Sequence, residues 1–143
     1  MEQSLLDTDI FSEILKGKNP SVTRSATAYR TQFGRYTVSA ITVTEIVKGF
    51  QKRGLENRIK GLLAGLASEQ VLPLDIDAAT IPGRIYGDLE KSGQPIGRAD
   101  PMIAAIAIQN SLTLVTGNTQ HFERLQRLGY PLRLANWKNP PAK

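Results

Sequence analysis

Short apolar runs alternate with longer stretches of helical period along this chain. Residues 3–6 read as a brief buried strand. Ile10, Phe11, Ile14 and Leu15 follow on one helical face, and Gly17 stops that helix. A second helix is predicted over 20–33, with Pro20 near its start, and a second strand from Tyr36 to Ala40. Residues 42–53 predict a helix that ends before Gly54. Leu55, Ile59, Leu62, Leu63 and Leu66 give an apolar face to another over 55–67. Val71 to Leu74 predicts a strand. Asp77 is placed to cap a helix over 78–91, although Pro82 and Gly83 weaken its beginning. A turn-rich stretch, Ser92 to Gly97, leads into a helix from Arg98 to Asn110. A strand over 112–116, a helix over 119–128 and a last strand from Tyr130 to Ala135 complete the pattern.

Strands alternate with helices throughout, which predicts an α/β fold with a mostly parallel sheet and helices on both faces. No repeat, low-complexity segment or linker divides the chain. Residues 1–137 therefore read as a single domain, and residues 138–143, with two prolines, as a loose tail.

Composition narrows the chemistry. Hydrophobic residues make up 41% and charged residues 22%, which indicates a chain able to bury a core. The absence of cysteine excludes a disulfide framework, a thiolate zinc site and a cysteine nucleophile, and fits a reducing cytoplasm. Met1-Glu2-Gln3 does not resemble a secretory signal. The apolar run from Met102 to Ile108 is too short to cross a bilayer, so no membrane partner is expected.

The net charge of +5 is unevenly spread. Residues 1–13 hold four acids and no base, residues 14–60 ten bases and two acids, and residues 61–143 eight bases and seven acids. An acidic centre in a basic surround attracts a cation to the centre and a phosphate backbone to the rim. Lys48, Lys52 and Arg53, on or just after the helix that starts near Glu45, are the candidates for nucleic-acid contact.

Three carboxylates stand where apolar runs meet helices: Asp7 after Ser4-Leu5-Leu6, Glu45 after the run from Val38 to Thr44, and Asp100 before Pro101 to Ile106. Strand ends and helix starts line the crevice of an open α/β sheet. Three acids gathered there repel one another unless a cation joins them, which points to magnesium or manganese and to phosphodiester chemistry. Each acid also has a structural reading. Asp100 before Pro101 has the form of a helix cap. Thr42-Val43-Thr44-Glu45 has the form of a capping box. Asp9 is expected to cap the Ile10 helix, which leaves Asp7 without a structural task, and the site rests on the set of three rather than on any member. His121 reads alone as a surface or capping residue, and Asn118 and Thr119 as helix-start residues. Neither a P-loop nor a Gly-x-Ser-x-Gly motif occurs.

Taken in order, Leu5-Leu6-Asp7-Thr8-Asp9-Ile10, Thr42-Val43-Thr44-Glu45-Ile46 with Gly49, Ile96-Gly97 before Asp100 with Ile103-Ala104-Ala105 after it, Leu114 to Thr119 with His121-Phe122, and Leu134-Ala135-Asn136-Trp137 resemble the PIN-domain ribonucleases, and more closely the VapC toxins of prokaryotic toxin–antitoxin pairs. The resemblance implies a small parallel sheet between helices. It also implies Mg2+- or Mn2+-dependent cleavage of RNA, such as tRNA, by a homodimer that a cognate antitoxin holds inactive. By motif position Asp7, Glu45 and Asp100 take the roles of the family's three leading acids. The fourth acidic position is His121 here, with Asn118 three residues before it, a departure that bears on a second metal. Two other classes fit parts of the pattern. Asp7-Thr8-Asp9 resembles the start of aspartyl-nucleophile phosphohydrolases, although the expected late acidic pair is missing. A protein that binds RNA or a partner without cutting is the other.

Overall fold

In the computed structural model, which describes residues 1–94 and 99–139, five short strands form one parallel sheet. They are β1 Ser4–Leu6, β2 Thr37–Ser39, β3 Gln70–Leu72, β4 Thr113–Val115 and β5 Leu134–Ala135, in the spatial order β3-β2-β1-β4-β5. The described helices are α1 Thr8–Lys16, α2 Pro20–Phe33, α3 Ala40–Lys52, α4 Glu56–Leu66, α5 Ile76–Lys91, α6 Asp100–Gln109 and α7 Thr119–Arg127. The α/β class and the order of elements are as the sequence predicts. Residues 95–98, part of the predicted turn and helix start and of the Ile96-Gly97 motif, lie outside the described residues, as do residues 140–143.

The period of two along each strand divides the interior. Leu6, Val38 and Val115 pack on one face with Ile10, Val22, Tyr29 and Ile46, while Leu5 and Leu114 pack on the other with Ile85, Ile103, Phe122 and Leu125. The core of α6, Ile103 to Ala107, is fully buried, as expected for a helix apolar on every side. Tyr29 closes the first face. Its hydroxyl accepts the Ser4 amide at 3.0 Å, and its ring packs on Phe33 and Trp137.

The chain leaves β1 toward β2 and β3 on one side and returns to β4 and β5 on the other. The strand order therefore reverses between β1 and β4, and the carboxyl ends of the strands at such a reversal are where open α/β sheets bind ligands. The Asp7 amide donates to the Val115 carbonyl at 2.9 Å, so the ends of β1 and β4 meet at this point.

Several boundaries differ from the sequence reading. Helix α3 begins at Ala40, with the Ser39 hydroxyl accepting the Thr42 amide at 3.0 Å. Ala40, read from the sequence as strand, and Ile41 are thus already helical, and tertiary packing overrides the strand preference of this β-branched stretch. Helix α5 is capped by Asp75 rather than Asp77, and it continues through Pro82, which is buried against the core. Leu63, expected on the apolar face of α4, is exposed.

Candidate active site

Asp7 directly follows β1 and is 4% exposed. It is the cap of α1: Oδ1 accepts the Thr8 amide at 2.8 Å, and Oδ2 accepts the Thr116 hydroxyl at 2.8 Å across the β1/β4 switch. The sequence reading assigns the cap to Asp9 and leaves Asp7 without a structural task. The structure reverses this, because the strand runs into the helix with no intervening residue to spare. Burial pushes the Asp7 carboxyl up from 3.8 to about 7; the charges of Asp9 and Asp100 add to the rise, and the Thr116 and Thr8 donors oppose it.

Glu45 sits in the second turn of α3, too far along for a capping box. Thr8 Oγ1 donates to Glu45 Oε1. Thr8 Oγ1 also lies 3.0 Å from Thr42 Oγ1, and Ser39 Oγ donates to Thr42 Oγ1 at 3.3 Å. Since the single Thr8 proton is on Glu45, Thr42 donates to Thr8. The relay Ser39–Thr42–Thr8 therefore ends on the Glu45 carboxylate and ties β2 to α1.

Asp100 is the first residue of α6, and the cap position belongs to Ala99, which makes no side-chain cap hydrogen bond. The capping form of Asp100 in the sequence therefore does not describe its side chain. Oδ2 stands 3.6 Å from His121 Nδ1. Burial raises the Asp100 pKa, His121 opposes that rise, and Glu45 and Asp9 add to it. Asp100 in turn lifts the neighbouring Tyr86 phenol, whose rise is due mainly to burial. Asn118 takes the cap position of α7 without a cap hydrogen bond from its side chain, and its amide donates to Thr116 Oγ1 at 3.0 Å.

The predicted acids lie near enough to sense one another's charge: Asp100 acts on Asp7, and Glu45 on Asp100. Among the described residues, however, no three Asp, Glu or His side chains draw together tightly enough to form a ready coordination shell. Two observations still fit a divalent cation here. The side chains that border the cleft carry mostly hard oxygen donors. Buried Asp9 Oδ1 has no hydrogen-bond partner, and the charges of Asp9 and Asp100 add to the rise that burial imposes on Asp7.

Several residues of the cleft were missed by sequence reasoning. Thr8 and Thr116 carry no signature beyond ordinary strand-end polarity. Asp9 accepts the Gly117 amide at 2.9 Å and pairs with Lys138 at 3.3 Å, so this first residue of the expected loose tail is tied to α1. Of the predicted bases, Arg53 lines a groove of about 740 Å³ that opens from Thr8 and Glu45 between α1, α3 and α4. Lys16, Lys18 and Arg58 join it there, whereas exposed Lys48 and Lys52 are not part of its lining.

A parallel α/β sheet with acids around its switch point defines the class of the protein. A profile of the PIN domain matches residues 4–128, and the chain belongs to the PIN-domain family, in its VapC branch. The "tRNA(fMet)-specific endonuclease VapC" of Shigella flexneri is 34% identical over 126 residues, covering 87% of this chain and 93% of that protein. The structure of DNA-bound VapBC from Salmonella typhimurium superposes with a TM-score of 0.77 at 31% identity, covering 96% of this chain and 99% of that one. VapBC2 from Rickettsia felis, bound to a promoter DNA fragment, gives 0.76 at 26% identity over 94% of this chain and 98% of that one. No described helix is long and apolar enough to cross a membrane.

Proposed function

We infer that the chain is a divalent-metal-dependent endoribonuclease, the toxin of a toxin–antitoxin pair, acting on a structured RNA such as tRNA. The observation that carries this reading is the placement of Asp7 at the β1/β4 switch, with Asp100 acting on its charge, with Glu45 held by the neighbouring Thr8, and with the Asp7 carboxyl raised to about 7 by burial and by its acidic neighbours. The kinship with VapC endonucleases supports the RNA substrate, and the VapBC assemblies among its structural relatives support an antitoxin partner. The homodimer rests on the family resemblance.

Asp7, Asp100 and Glu45 are the residues that would hold Mg2+ or Mn2+. When bound, such an ion polarises a phosphate and makes water a stronger nucleophile. The chain supplies the rest. Thr116 and the Thr8 amide fix the Asp7 carboxylate, and the threonine relay fixes Glu45. His121 orients Asp100. Arg53 and Arg58, with Lys16 and Lys18, hold the RNA backbone along the groove, and Lys48 and Lys52 add to the outer basic field.

An aspartyl-nucleophile phosphohydrolase needs a carboxylate free to attack. Asp7 is buried with both oxygens engaged, and PIN-family membership removes the resemblance that raised that alternative. Incubation of the purified chain with a tRNA pool, with and without a chelator, tests the function. Discrete cleavage products that vanish with chelator are expected. Intact RNA under all metal conditions would favour a protein that binds without cutting.

A further inference from the structure

Asp9 has no part in the three-acid reading, yet its surroundings are specific. It is the second residue of α1, and its two oxygens differ. Oδ2 accepts the Gly117 amide at 2.9 Å and faces the Lys138 ammonium at 3.3 Å. Oδ1 is buried with no hydrogen-bond partner. A buried anionic oxygen without a donor is costly, and folded proteins rarely leave one unserved.

Two neighbours make room for this carboxylate and balance its charge. A Cβ at position 117 would lie 2.5 Å from Asp9 Oδ2 and 2.9 Å from Lys138 Cδ, so the close approach depends on glycine. Lys138 follows Trp137, whose ring is buried in the aromatic core and whose carbonyl accepts the Ser21 hydroxyl at 2.7 Å. The Lys138 amide donates to Asn136 Oδ1 at 2.8 Å. The ammonium is therefore delivered by an anchored backbone. The Asp9 charge also acts on both Asp7 and Asp100, so these carboxylates lie near one another.

We propose that Asp9 is a fourth cation-facing carboxylate of this cleft, and that Lys138 is its exchangeable counter-ion in the metal-free chain. The proposal rests on the metal-dependent reading above. Lys138 balances Asp9 until a divalent cation enters, and then swings to solvent on its flexible stem. Lysine and metal thus compete for one carboxylate, and the C-terminal segment sets the metal affinity of the site.

Titration calorimetry with Mn2+ on the full chain tests this, with melting temperatures confirming the fold of each variant. Asp9→Asn keeps an acceptor for the Gly117 amide but removes the charge, and is expected to weaken Mn2+ binding by about tenfold or more. Lys138→Met is expected to tighten it by roughly two- to fivefold, the scale of a partly exposed ion pair. Asp7→Asn is the reference. Mn2+ binding lost in Asp7→Asn but unchanged in Asp9→Asn overturns this proposal alone. Binding that is absent from the parent chain, or that survives Asp7→Asn, overturns the metal reading with it. If Asp9→Asn does not fold, Lys138→Met decides: unchanged or weaker affinity overturns the proposal.

Discussion

The Thr116 hydroxyl donates to Asp7 Oδ2 at 2.8 Å, joining the ends of two strands on either side of the point where the sheet order reverses. The bond supplies a buried carboxylate with a donor that water cannot reach. Thr116→Val removes it, and the Asp7 pKa should rise further. At pH 8, where Asp7 is ionised, the variant should lose about 1–3 kcal/mol of stability. At pH 5, with Asp7 protonated, the loss should be smaller, because what remains is mainly the hydrogen bond from the Asn118 amide. Denaturant titrations at the two pH values check this. Equal losses would mean that Thr116 does not serve the Asp7 charge.

The raised Asp7 pKa gives metal-free stability a definite pH dependence. The folded-state value, about 7, lies above the ordinary 3.8, so the folded chain holds this proton more tightly than the unfolded chain. The stabilisation is fully present below about pH 4 and is lost as pH rises through about 7. A shift of this size corresponds to a change on the order of 4 kcal/mol. Asp100 is shifted in the same direction and adds to the slope. Urea midpoints measured in chelator from pH 4 to 8 should fall, and Asp7→Asn should flatten the curve. A flat curve in the parent chain would contradict the assignment.

The order of elements follows from strand–helix alternation and the apolar period, since one-step alternation in Leu5-Leu6 and Leu114-Val115 assigns each residue to one of two cores. Asp7, Glu45 and Asp100 stand out in the sequence because strand ends are where such sheets do chemistry. Capping does not follow from the sequence at any of the three helices that carry these acids. In Asp7-Thr8-Asp9 either acid can cap by spacing, and the choice depends on where the strand stops. The β-branched Ile41 to Thr44 hides two residues of α3 and makes Glu45 look like a box partner. Thr8, Thr116, Gly117 and Lys138 reach the cleft through pairings between segments far apart in sequence, which no local pattern records.

The groove should carry RNA more than the outer face of α3 does. Arg53 and Arg58 line it, while Lys48 and Lys52 do not. Arg53→Ala with Arg58→Ala should weaken RNA binding and reduce the salt slope by about 0.7 for each single-strand phosphate that the variant no longer neutralises. Lys48→Glu with Lys52→Glu should have a smaller effect on the slope. Filter-binding affinities at several salt concentrations compare the two pairs, and a larger slope change in the lysine pair would move the RNA path to the outer face.

His121 partners Asp100 without taking over its role. At 3.6 Å it offsets part of the rise that burial imposes on Asp100. His121→Ala should therefore cost about tenfold in cleavage rate, the lower end of the range for residues that orient a ligand. His121→Asp should bind Mn2+ more tightly. Complete inactivity of a folded His121→Ala protein would give the ring a direct part in the chemistry.

Asp7, Glu45 and Asp100 are proposed to form one site for metal-dependent RNA cleavage. Neither Glu45→Gln nor Asp100→Asn removes a cap, since neither side chain caps its helix, so melting temperature and activity are separable for these two. The decisive experiment is the single-turnover rate of RNA cleavage by Asp7→Asn, Glu45→Gln and Asp100→Asn across a Mg2+ and Mn2+ titration, beside the parent chain with and without chelator. Parent cleavage should be abolished by chelator and restored by either ion, and each folded variant should lose at least about 10²-fold. Parent cleavage that persists in chelator, or near-parent rates in folded Asp7→Asn, would contradict the three-acid site.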